Sequence, residues 1–163
     1  MFRGLQLSCC LVAAWVILPA PLRAQDAREM KTIATAKDSS RSASIGPFLL
    51  KREGVVIRSA EDLAILSNKA KSAKDPAVQK EMQAELAKLL KVDAIDWSKQ
   101  MALAVRGEPG TKADRVRFES LKVENSTLTV AWKVIPRPPH AGPGSPIALI
   151  LVERFDGDVK FRP

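Results

Sequence analysis

The sequence predicts an α+β domain: two N-terminal helices packed on a mainly antiparallel β-sheet that is free to curl into a sandwich or an open barrel. Three observations predict it. Val78, Met82, Leu86, Leu89 and Leu90 recur at helical spacing and make one apolar face. Leu128, Val130, Trp132 and Val134 alternate with Thr127, Thr129, Ala131 and Lys133, the pattern of a strand wet on one side. Residues 101–105 and 147–152 are short, unbroken apolar runs, as in strands covered on both faces.

Taken in order, Phe48-Leu49-Leu50 and Gly54-Val55-Val56-Ile57-Arg58 read as short strands, or as one strand broken near Arg52–Gly54. Ser59 can cap a first helix, with Asp62 at the capping-box position and Leu63, Leu66 and Ala70 following. Asp75 and Pro76 start the second helix as N-cap and first helical residue. Its apolar stripe is expected to face the core. Val116 and Phe118 alternate with charged residues until the phase slips near Ser120, which predicts a bulge or bend. Asn125-Ser126 turns the chain into the next strand, giving a hairpin. Residues 147–152 should be a central strand. Asp156-Gly157 is the strongest hairpin signal and would return the chain into Val159-Lys160-Phe161.

The N-terminus reads as a targeting segment. Met1-Phe2-Arg3 carries a positive charge, residues 5–18 are uncharged and largely apolar, and Pro19 and Pro21 end any helix. Leu22-Arg23-Ala24 ends in a small residue before polar Gln25-Asp26, the layout of a secretory signal cleaved after Ala24, with Ala20 as second choice. The apolar stretch falls short of the roughly 20 residues of a membrane-spanning helix. The expectation is an exported protein, periplasmic or secreted, without a transmembrane segment once residues 1–24 are removed. Residues 25–46 are small and polar and read as a flexible linker, apart from a transient helical turn at Met30 and Ile33. Residues 47–163 form the single domain.

Composition excludes some chemistry. Both cysteines, Cys9 and Cys10, lie in the signal, so the mature domain has none for a disulfide, a thiolate metal site or a cysteine nucleophile. The chain has 26 Lys+Arg against 18 Asp+Glu; removal of Arg3 and Arg23 with the signal leaves a modest, scattered positive excess. Tyrosine is absent and aromatics are few, which argues against nucleic-acid binding by stacking. Weak attraction to an anionic surface is the expectation such an excess supports.

No catalytic, cofactor or metal site is expected. His140 is the single histidine, and no serine stands in a nucleophile elbow. Asp93 with Asp96, Glu61 with Asp62, and Asp156 with Asp158 are sequence neighbours; glycosidase acids must face each other across a cleft. Residues 107–112 lack the Gly-Lys-Ser/Thr ending of a phosphate loop. The feature that stands out is the segment from Pro136 to Pro146, stiffened by prolines. Pro136, Arg137, Pro138, Pro139, His140 and Pro143 are the candidate partner-binding residues, because a stiff loop loses little entropy on binding. Glu108, Thr111, Lys112 and Arg115 make a secondary candidate loop.

One family resemblance rests on three pieces. Residues 94–105, Ala-Ile-Asp-Trp-Ser-Lys-Gln-Met-Ala-Leu-Ala-Val, look like the acid, aromatic and apolar-strand opening of the C-terminal domain of protease-complex-subunit-B (PrcB-type) proteins. Residues 128–134 and 147–153 resemble that family's later strands, and the likeness covers roughly Val55 to Phe161. The family's Thr-Gly-Gly-Tyr turn is replaced by residues 110–115, where only Thr111 remains. The resemblance implies an exported, non-enzymatic accessory module that stabilises an envelope protease or complex. A protease inhibitor and a basic domain binding an anionic envelope polymer are the alternatives, with a hydrolase behind them.

Overall fold

A computed structural model describes residues 27–36, 54–67, 70–107, 113–136 and 146–163. It contains strands β1 (Arg28–Glu29), β2 (Thr32–Ala36) and β3 (Gly54–Ile57), helix α1 (Ala60–Leu66), a short 3-10 turn at Ala70–Ser72, and helix α2 (Pro76–Leu90). Strands β4 (Gln100–Arg106), β5 (Ala113–Glu124), β6 (Thr127–Pro136), β7 (Ile147–Glu153) and β8 (Asp158–Arg162) follow. They form two four-stranded sheets: an inner sheet in the order β2-β7-β4-β3 and an outer sheet in the order β1-β5-β6-β8.

The helices cover one face of the inner sheet, and the outer sheet covers the other. Strand periodicity explains how β4 and β7 serve both sides. Ala102, Ala104, Leu149 and Leu151 pack with Leu63, Met82, Leu86 and Leu90 of the helices. Met101, Leu103, Ile150 and Val152 pack instead with Leu121, Leu128 and Val130 of the outer sheet. Both strands are therefore almost wholly buried, as their unbroken apolar runs predict.

Several local expectations hold. The Ser59 hydroxyl accepts from the Asp62 N–H at 3.0 Å, and the Asp62 carboxylate accepts from the Arg58 N–H, one residue upstream of the cap. Asp75 caps α2 by accepting from the Ala77 N–H at 2.9 Å, with Pro76 in the first turn. Helix α2 buries Met82, Leu86 and Leu90, while Val78 and Leu89 are partly buried against the same core. Strands β5 and β6 pair antiparallel around Asn125 and Ser126, both at positive φ (47° and 61°), which gives the tight two-residue turn. The register shifts between Phe118 and Ser120, where the phase slip lies.

The predicted fold class is overturned. Among the described residues the protein is mostly β, with 49% strand against 25% helix, in two separate sheets that do not close into a barrel. The helices lie mid-chain, between β3 and β4, and do not form an N-terminal pair. Part of the excess of strand comes from residues 28–36. Expected as linker with a helical turn, they form β1 against β5 and β2 against β7, and Met30 is buried between the sheets. Thr32, Ile33 and Thr35 are β-branched and suit an edge strand. The Asp156-Gly157 hairpin does not form either. β7 belongs to the inner sheet, whereas β8 crosses to the outer one and runs parallel to β6. A turn signal reports local geometry and says nothing about which sheet the next strand joins. Residues 1–26, including Ala24, and the strand expected at 48–50 lie outside the described residues.

Candidate functional site

Three regions bear on function: the end that roots the predicted loops, the opposite end, and one long side. The two loops leave the same end. Residues 108–112 connect β4 in the inner sheet to β5 in the outer sheet, and 137–145 connect β6 back to β7. Arg106 pairs with Ile147 and Ala113 with Pro136, and the Gly107 N–H donates to the Pro146 carbonyl at 3.0 Å. The primary and secondary candidate loops thus share neighbouring roots. Pro136 is exposed at the end of β6, and Arg115 occupies the β5 position opposite Ile135. Arg137, Pro138, Pro139, His140, Pro143, Glu108, Thr111 and Lys112 lie outside the described residues.

Beneath these roots, Val105, Val116, Trp132 and Ala148 form a small apolar cluster. Arg106 is 5% exposed here, and its burial pushes the guanidinium below its usual range, since a low-dielectric setting disfavours the charged form. The sequence shows Arg106 as one more strand-end cation; its burial follows from the pairing with β7, which no local pattern displays.

The opposite end is knitted by two arginines onto backbone carbonyls. Arg58 donates to the Phe155 and Gly157 carbonyls at 3.2 and 2.9 Å. Arg154 donates to the Trp97 and Arg58 carbonyls and to the Asp156 carboxylate at 2.6, 3.2 and 2.8 Å. The acid–aromatic opening of β4 also acts here as a turn. Asp96 accepts from the Ser98 N–H and hydroxyl, and Trp97 donates from its indole to Gln83 of α2 at 3.0 Å. Asp62, Asp96 and Asp156 thereby have structural partners. Among the described residues, no three acidic or histidine side chains are placed to hold a metal ion.

The long side bounded by β3 and β8 carries a concave surface. Among the described residues β3 pairs only with β4, and β8 only with β6, so each ends its sheet there. The edges are locked together where the Phe161 ring lies on Gly54, whose missing Cβ makes the approach feasible. Beside them runs a groove of about 430 Å³ lined by Gly54, Val56, Ile65, Leu66, Val159 and Phe161. Ile65 is 51% exposed, a large apolar side chain in water, and it also borders a second depression of about 550 Å³ along Ala70–Asp75. No local sequence pattern displays this groove. Its walls come from residues 54–66 and 159–161, which the crossover of β8 brings together, although the placement of Ile65 off the Leu63–Leu66 face was a local hint.

Comparison of the chain with protein-family models, with curated proteins and with solved structures gives no match.

Proposed function

We propose that this is an exported, non-enzymatic binding domain that holds another protein, periplasmic or secreted, along the open side of its sandwich. The observation that carries this reading is the groove at the β3 edge, flanked by half-exposed Ile65. An edge strand offers unpaired backbone groups to which an extended segment can add. A segment laid along β3 would gain backbone hydrogen bonds and cover the apolar surface of Ile65 and Leu66. Export is supported by the leader-like residues 1–24 and by a fold whose first strand begins at Arg28, just beyond the expected cleavage after Ala24. The PrcB-type resemblance supports an accessory role at an envelope protease or complex.

The test is affinity capture from an envelope extract with the unaltered protein, the Ile65→Arg variant and the Arg137→Ala/His140→Ala variant. A charge at the exposed Ile65 leaves the core untouched, and the expected outcome is loss of a stoichiometric partner with Ile65→Arg alone. Loss with the loop variant alone places the contact at the proline-rich end and refutes the groove. If the partner is a protease, adding purified domain should preserve its turnover; abolished turnover identifies an inhibitor instead.

A further inference from the structure

The outward face of the outer sheet carries a pattern that the groove does not use. In β8, Val159 and Phe161 turn into the core while Lys160 and Arg162 are exposed. The parallel register sets Arg162 beside Ala131 of β6, and Lys133 follows two residues further along. Arg117 of β5 sits directly opposite Lys133. Lys160, Arg162, Lys133 and Arg117 therefore run diagonally across three strands, past the small residues Thr129 and Ala131. With about 3.3 Å per residue and about 4.8 Å between strands, this stripe extends about 13 Å along the strands and about 10 Å across them. Glu119, ion-paired with Lys133, is the acid within it. Lys122 of β5 lies across Thr129 from Lys160, with Glu29 of β1 next to it, and Glu124 and Asp158 flank Thr127 two residues further on.

We infer that this diagonal stripe binds a linear acidic polysaccharide. Cations in a line on a flat, small-residue surface match regularly spaced carboxylates, and the two guanidiniums add forked donors that suit a carboxylate. A nucleic acid fits less well. Phe118, Trp132, Phe155 and Phe161 all pack into the interior, so among the described residues none of these aromatic rings offers a stacking platform on this face. An anionic membrane also fits less well, because Glu29, Glu119, Glu124 and Asp158 interrupt the positive charge across the same face. The inference is independent of the groove and its protein partner.

The test is binding of the purified protein to polygalacturonate at low and moderate salt. Reversing two charges in Lys160→Glu/Arg162→Glu is expected to weaken binding about tenfold or more, because each change removes an attraction and adds a repulsion. Lys80→Glu/Lys88→Glu changes net charge equally on exposed positions of α2 and is expected to leave affinity within about twofold of the parent. Far-UV circular dichroism checks folding, and Lys160→Gln/Arg162→Gln carries the same test if the reversal perturbs it. Equal losses in the two reversed proteins, absent binding, or tighter binding to a single-stranded oligonucleotide or to anionic lipid vesicles would each overturn the inference.

Discussion

Replacing Gly54 by alanine tests the closure of the open side. An alanine Cβ at this position would clash with the Phe161 ring, so either the ring swings out or β3 and β8 move apart. Overpacking of this kind costs about 1–3 kcal/mol. Displacing the ring forfeits part of the about 1.5–3 kcal/mol that full burial of such a side chain provides, and Phe161 is only partly buried. A loss of about 2 kcal/mol follows, or a fall in Tm of roughly 5–10 °C for a domain of this size. Phe161→Ala alone should cost a similar amount, below the range for a fully buried phenylalanine. The double variant should be more stable than the two losses added together, because the new methyl occupies space the ring has left, with a coupling of about 1 kcal/mol. Urea unfolding followed by tryptophan fluorescence measures all four proteins. A neutral Gly54→Ala, or strictly additive losses, would refute the contact between the sheet edges and the placement of β8 beside β3.

Three further predictions follow from the core and the turns. Leu103 is fully buried between the two sheets, so Leu103→Ala should lower unfolding stability by about 2–5 kcal/mol in denaturant titrations. Asp75→Ala removes the cap of α2 and should cost about 1 kcal/mol by the same assay, with helical signal lost on heating before the rest of the fold. The Ser98 hydroxyl and then its N–H hold the Asp96 carboxyl below its ordinary value of 3.8, with Lys99 assisting against slight desolvation. A depressed folded-state pKa contributes stability that is present above 3.8 and is lost as pH falls through the lower folded value. Asp96→Asn should therefore lower Tm at neutral pH, and the difference should shrink as the solution is acidified well below 3.8.

Local order was legible in the sequence where one segment determines it. The caps at Ser59 and Asp75, the buried stripe from Met82 to Leu90, the Asn125-Ser126 hairpin and the bulge beside Ser120 all follow from neighbours in the chain. So does the double-sided burial of β4 and β7, because an unbroken apolar run leaves no face for water. Sheet membership was not legible. Val159 and Phe161 announce a half-buried strand, but nothing in them chooses β6 over β7 as partner. The segment around Met30 looks too polar for a core, because its strands lie at edges and bury little beyond Met30 and Ala36. The site suffered from the same limit. Ile65, Gly54 and Phe161 are far apart in the chain and become one surface only when β8 changes sheets, and the cationic stripe arises from the β6–β8 register.

The open side as the protein-binding surface is tested most directly by site-specific photo-cross-linking in envelope-bearing cells, with a photoreactive residue in place of Ile65, Arg137 or Lys88. Helix-exposed Lys88 serves as the control. One discrete protein adduct is expected from position 65 and none from position 88. Adducts from position 137 with none from position 65 would contradict it and return the contact to the proline-rich end.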